Sequence, residues 1–134
     1  QRRITIIWIL TTGEQTMTKM FNMTMSEYQA RMSDTAIYKW PVIYPALGLV
    51  SEAGECLGAL KKMIRDNDVR FDGTNVITDA QRANLCAELG DVLWYTTALA
   101  QDLGLTLEMV ARANLGKLAA RKARGKLKGS GDYR

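Results

Sequence analysis

Glu52-Ala53-Gly54-Glu55 lies inside an apolar-periodic run from Tyr44 to about Arg65, and the reading of that run decides the fold. At about 100° per residue, Ala46, Val50, Ala53, Leu57, Leu60 and Ile64 form one stripe of a helix. Glu52 and Glu55 lie nearly opposite that stripe, one turn apart on a common face beside Gly48 and Ala59. Lys62 falls on the carboxylate side, whereas Lys61 points away. The spacing recurs in Glu88-Leu89-Gly90-Asp91. There Leu85, Leu89, Val92, Thr96, Leu99 and Leu103 make the expected core stripe, with Glu88, Asp91 and Tyr95 on the flank beside it. Four carboxylates on two facing helices form an oxygen-rich cage for a hard divalent cation. On an open surface the same four are ordinary solvated charges.

The remaining helices are read outward from these two. Thr24-Met25-Ser26-Glu27 fits a capping box and predicts a first helix from Ser26 to Tyr38, ended by Trp40-Pro41. Pro45 suits the first turn of the second helix. Gly54 and Gly58 each cost about 1 kcal/mol inside it, which suggests close approach of another backbone or a ligand, or simply a weak helix. Asp66 to Thr78 has loop composition, and Thr78-Asp79-Ala80-Gln81 caps a third helix that Gly104 stops. Thr106 caps a fourth, with Glu108 in its first turn. Its apolar side is Leu107, Val110, Ala111 and Leu118; Asn114 sits in that stripe, and Lys117 and Arg121 on its shoulder. A buried Asn114 needs a partner, either structural or a ligand. The sum is an all-α bundle of four helices.

Composition narrows the chemistry. The chain has 134 residues, 47% of them hydrophobic, which suits one domain with a genuine core. It contains no histidine, so His-based catalysis, His-rich zinc or copper sites and di-iron Glu-x-x-His bundles are excluded. The four acids therefore select Mg²⁺, with Mn²⁺ able to substitute. Cys56 and Cys86 match no metal or redox pattern and read as reduced core residues in a cytoplasmic protein. Net charge is +4, concentrated after Arg112 in Lys117, Arg121, Lys122, Arg124, Lys126, Lys128 and Arg134. Such an end fits a polyanion or the phosphates of a nucleotide, or is a solvated helix face. Arg2-Arg3 and the run Ile4–Leu10 are too short to span a membrane. Residues 1–23 read as an N-terminal extension or short strand, 24–125 as the helical domain and 126–134 as a flexible basic tail.

Leu49-Val50-Ser51-Glu52-Ala53-Gly54-Glu55, Lys61-Lys62 and Glu88-Leu89-Gly90-Asp91-Val92-Leu93-Trp94-Tyr95 together resemble the MazG-type nucleotide pyrophosphohydrolases. The likeness runs on through Gly104-Leu105-Thr106-Leu107, Asn114-Leu115-Gly116-Lys117-Leu118 and Arg124-Gly125. It implies an all-α, MazG-like four-helix bundle completed by dimerisation, as a dimer or a dimer of dimers with sites between subunits. It implies Mg²⁺-dependent cleavage of a nucleoside triphosphate between the α and β phosphates, releasing a monophosphate and pyrophosphate. Glu52, Glu55, Glu88 and Asp91 are then the catalytic and metal-holding residues. Lys62, Asn114, Lys117 and Arg121 are implied to contact phosphates or sugar, and Tyr95, four residues after Asp91, to bind substrate beside the site. Trp40 and Tyr44 are candidates to stack on the base, or else hydrophobic anchors. No membrane or nucleic-acid partner is expected. The rival is a nucleic-acid-binding or nucleotide-sensing regulatory bundle that uses the basic C-terminal end.

Overall fold

Side-chain caps set three of the four helix starts. In a computed structural model that describes residues 22–67 and 77–128, α1 spans Met25–Ser33, α2 Ile43–Asn67, α3 Asp79–Asp102 and α4 Leu107–Ala123. Thr24 and Glu27 form a reciprocal capping box, with Glu27 N–H donating to Thr24 Oγ1 at 3.2 Å and Thr24 N–H to Glu27 Oε2 at 2.8 Å. Thr78 and Gln81 repeat it on α3, and Thr106 accepts from Met109 N–H at the start of α4. Pro45 sits in the first turn of α2, where its missing N–H has no helical partner to lose. Gly104 and Gly125, at φ +72° and +65°, close α3 and α4 in the left-handed region. The N-terminal extension, the loop over 68–76 and the tail from 129 lie outside the described residues. Among the described residues there is no strand, and no helix is long and apolar enough to cross a membrane.

Two expectations need correction. The first helix ends at Ser33, well before Tyr38. Ser33 Oγ donates to the Gln29 carbonyl and Thr35 Oγ1 to that of Met32, at 3.0 and 2.8 Å. Short polar side chains that bond the backbone locally compete with helix continuation. Residues 34–42 are therefore a turn, not a last helical turn.

The larger correction concerns which stripe of α2 is covered. Helices α2 and α3 run antiparallel, since Gly48 meets Tyr95 near one end while Lys62 and Met63 line a cleft with Ala80, Gln81 and Asn84 near the other. Along α2 the covered residues include Pro45, Leu49, Glu52, Cys56, Ala59 and Met63, a row alternating four and three apart, with Ala46, Gly48, Gly58 and Leu60 half-buried beside it. On α3 the matching row is Gln81, Leu85, Glu88, Val92, Tyr95 and Leu99, and Thr97, Ala98 and Ala100 are buried near its C-terminal end. This is the 3.5-residue period of a helix–helix seam, and it carries Glu52 and Glu88 within it. Most of the stripe expected to form the core faces outward instead: Val50 is 73% exposed, Leu57 66% and Ile64 47%, Ala53 is exposed too, and only Ala46 and Leu60 are half-buried. Helix α2 has two apolar faces, and one neighbouring helix covers only one.

The two outer helices hold the hairpin at one end. Gln29 joins α1 to the start of α4, donating to the Leu105 carbonyl and accepting from Leu107 N–H at 2.8 Å. Leu107 and Met32 are buried there with Ala98 and Ala100. Helix α4 touches α1 and α3 but not α2. Cys56 and Cys86 are free thiols, both half-buried.

Candidate metal centre and aromatic recess

The seam opens around its acids. Glu52, Glu55 and Glu88 each bring one carboxylate oxygen within 4.8 Å of the others. Glu52 and Glu88 are half-buried and Glu55 is exposed. The spacing of three on α2 places Glu52 and Glu55 on one turn, and the antiparallel register brings Glu88 opposite. Burial first, then the charges of Glu55, Asp91 and Glu88, holds the Glu52 carboxyl above its ordinary value of 4.5. Like charges are thus gathered beside one another, an arrangement that costs stability unless something positive shares it.

A cleft of about 630 Å³ opens from the cluster, lined by Glu55, Glu88, Lys62, Asn84, Gly54 and Gly58 among others. A β-carbon on either glycine would meet nothing within 4 Å, so both leave open cleft rather than admit a close backbone. The close approach is at Gly48 instead, where the Tyr95 ring lies against the helix. On the other side of the cluster a recess of about 370 Å³ is lined by Glu52, Asp91, Tyr95, Trp94 and Thr35. Asp91 therefore adjoins the three clustered glutamates through Glu52. Its charge also reaches Tyr28 on α1, whose phenol is raised, by burial first and by Asp91 second.

A second recess of about 410 Å³ shares Thr35 and Trp94 with the first and adds Tyr38, Lys39, Trp40 and Tyr44. Tyr38 and Tyr44 stack at 5.2 Å and 14°. Tyr44 and Tyr95 approach to 6.1 Å, and Trp94 stands edge-on to Tyr95 at 4.9 Å. The Tyr95 phenol is pushed up to about 12, chiefly by the neighbouring Tyr44 hydroxyl, with burial and the charges of Glu52 and Asp91 adding to it. Trp94 Nε1 donates to Thr35 Oγ1 at 2.8 Å, tying the turn to α3. The turn itself is strained: Val42 has φ +65°, a left-handed conformation that costs a β-branched residue about 1–3 kcal/mol. Asp102 Oδ2 accepts from Val42 N–H at 2.7 Å and from the Tyr38 hydroxyl at 3.0 Å.

The residues singled out from sequence divide into two groups. Glu52, Glu55, Glu88, Asp91, Lys62, Tyr95 and Trp40 line the connected cleft and recesses. Asn114, Lys117 and Arg121 line none of them, because α4 makes no contact with α2. Asn114 and Lys117 are exposed, while Arg121 is buried at 7% exposure. Trp94, Thr35, Tyr38 and Asn84 were not anticipated. Trp94 follows Leu93 on α3 and sits a quarter-turn from Tyr95, so helical periodicity assigns it to another face. Thr35 reaches the site only through a fold-back 59 residues from its partner in sequence.

The MazG nucleotide pyrophosphohydrolase domain model matches residues 45–125, which contain all four acids. The Gene 37 protein of Mycobacterium phage L5 is 45% identical over 115 residues, covering 80% of this chain and 96% of that protein. No solved structure matches. The matched span takes in the acid-lined helix pair and α4 together, and the chain belongs to the MazG nucleotide pyrophosphohydrolase domain family.

Proposed function

We propose that the chain is an Mg²⁺-dependent pyrophosphohydrolase that cleaves a ribo- or deoxyribonucleoside triphosphate between its α and β phosphates, releasing the monophosphate and pyrophosphate. The observation that carries this reading is the grouping of Glu52, Glu55 and Glu88 at the mouth of a cleft that also holds Lys62. The donor set fits the ion. Its ligands are all carboxylate oxygens, no histidine exists in the chain, and from separations within 4.8 Å a small side-chain movement brings them to the roughly 4.2 Å or less that oxygens about 2.0–2.1 Å from one small cation require. Glu52, Glu55, Glu88 and Asp91 would hold it, with Mn²⁺ an acceptable replacement. When bound, the ion neutralises phosphate charge and lowers the pKa of coordinated water.

The chain's own groups do the rest. Lys62 offers an ammonium to phosphate oxygens from the cleft wall, and a carboxylate of Glu52 or Glu55 takes the proton of the attacking water. The aromatic recess across Tyr95 receives the nucleoside end, where Trp40 and Tyr44 supply faces for the base. Asn114, Lys117 and Arg121 line neither the cleft nor the recesses within one chain, which supports a site completed between subunits. The outward stripe of Val50, Leu57 and Ile64, with Leu47, Leu89 and Leu93 also exposed, supports a second copy as its cover in a dimer or dimer of dimers.

The test is pyrophosphate release from a panel of ribo- and deoxyribonucleoside triphosphates with Mg²⁺. Activity is expected to vanish in EDTA and to fall at least about a hundredfold in Glu55→Gln and Asp91→Asn, with folding intact. Full activity in both variants overturns the site. No hydrolysis, together with salt-dependent binding of DNA or RNA, favours the regulatory bundle instead.

A further inference from the structure

The aromatic recess is built mostly by the turn between α1 and α2, and that turn is strained at one residue. Thr35, Tyr38, Lys39 and Trp40 all come from it. Its backbone passes through Val42 at φ +65°, a conformation that a β-branched residue leaves when free to do so. Ile43 N–H donates to the Pro41 carbonyl at 2.7 Å and Tyr44 N–H to that of Trp40 at 2.9 Å, and one side-chain atom holds Val42 itself to α3. Asp102 Oδ2, at the last residue of α3, accepts both from Val42 N–H at 2.7 Å and from the Tyr38 hydroxyl at 3.0 Å. The two contacts lie on either side of Trp40, so the carboxylate closes the turn as a loop around it. Tyr38 is in turn stacked on Tyr44 and edge-on to Trp94 at 6.2 Å, so its hydroxyl fixes the angle of the recess wall.

We propose that Asp102 is a positioning residue for the nucleoside end of the substrate: by holding the strained turn at Val42 and the Tyr38 ring, it shapes the recess without touching the acid cluster. The proposal rests on the pyrophosphohydrolase reading of the site. It assigns to Asp102 an effect on nucleoside affinity and none on the phosphate end. Asp102 lies about three helical turns along α3 from Asp91, and none of the clefts that carry the acids is lined by it.

The test compares wild type, Asp102→Ala, Asp102→Asn and the double variant Asp102→Ala with Val42→Gly, each as the full chain with Mg²⁺. In Asp102→Ala the KM for the triphosphate and the inhibition constant of the nucleoside monophosphate both rise about tenfold, the equivalent of about 1.4 kcal/mol. The kcat and the inhibition constant of inorganic pyrophosphate stay within about threefold of wild type, because uniform binding at a remote part of the substrate has been removed. Asp102→Asn falls between the two, since its amide oxygen can occupy the accepting position without the charge. Glycine at position 42 adopts positive φ without strain, so the double variant recovers part of the lost affinity, the Tyr38 contact staying lost. An unchanged KM in Asp102→Ala overturns the proposal, as does a loss of pyrophosphate affinity equal to the loss for monophosphate. If Asp102→Ala does not fold, the same split is read from Asp102→Asn and the double variant, and wild-type constants in both overturn it. Absence of pyrophosphate release in wild type is a different failure: it removes the reading of the whole site.

Discussion

The ring of Tyr95 occupies the space that a β-carbon on Gly48 would fill. This contact sets the register of α2 against α3 one turn from Glu52, and it joins the aromatic recess to the acid cluster.

Gly48→Ala therefore forces Tyr95 aside. Overpacking of this kind costs about 1–3 kcal/mol, so the melting temperature falls and pyrophosphate release falls with it. Gly54→Ala is the contrasting case, because a β-carbon there meets nothing within 4 Å. Helix propensity gains up to about 1 kcal/mol, yet the methyl projects into the cleft beside Glu55. Thermal melts and activity are expected to move together in the first variant and in opposite directions in the second.

The acid cluster makes stability depend on pH and metal. Glu52 is held above 4.5 in the folded chain, so its charged form is disfavoured there relative to the unfolded chain. Its contribution is present while the proton is bound and is lost as pH rises through the raised value. Without divalent cation, melting temperature should fall over that window, and Mg²⁺ should restore it. At ten times its dissociation constant the ion adds about 1.4 kcal/mol, more at neutral pH than near 4.5. Glu52→Gln should raise the metal-free melting temperature and remove the Mg²⁺ increment.

A double charge placed on the outward stripe tests the second copy. Val50→Glu with Leu57→Glu changes two residues that are 73% and 66% exposed in one chain, so a monomer tolerates them. In a dimer that covers this stripe, two buried like charges per chain dissociate it. Sedimentation equilibrium should shift from an associated species to the single-chain mass of 15.0 kDa, with retained helical circular dichroism and reduced activity.

Tyrosine titration reads the turn directly. Tyr38 is pushed up to about 12, by burial first and then by its hydrogen bond to Asp102. A raised phenol contributes stability that is present below its ordinary value of 10.0 and is lost as pH climbs toward 12. Ultraviolet difference titration should show late-ionising phenols, and Asp102→Ala should move one of them down.

Much of this fold was legible because its signals are local. Thr78 with Gln81, Thr106 with Met109, and Gly104 mark helix ends through contacts within four residues, and all three stand where the sequence places them. The acid spacing on α2 and α3 was legible for the same reason. What faces a helix was not. Leu49, Cys56 and Met63 on one side of α2 are no more apolar than Val50, Leu57 and Ile64 on the other, so periodicity alone could not say which side meets α3. Nor could it place Thr35, whose role comes from the Trp94 indole that donates to it across the fold. The early end of α1 is hidden for a different reason: Pro41 marks a helix stop plainly in sequence, whereas the local bonding of Ser33 and Thr35 that ends α1 sooner does not.

Gly54 and Gly58 stand one turn apart near the middle of a 25-residue helix, with open space beside both. Neither contributes side-chain packing, and each weakens the helix locally by about 1 kcal/mol relative to alanine. Helix α2 thus opens more cheaply at its centre than its length would suggest, and the weak point coincides with Glu55. In amide hydrogen exchange, the N–H groups of this turn should exchange by local opening rather than by global unfolding. Their protection then becomes a gauge of cleft occupancy, readable before any turnover is measured.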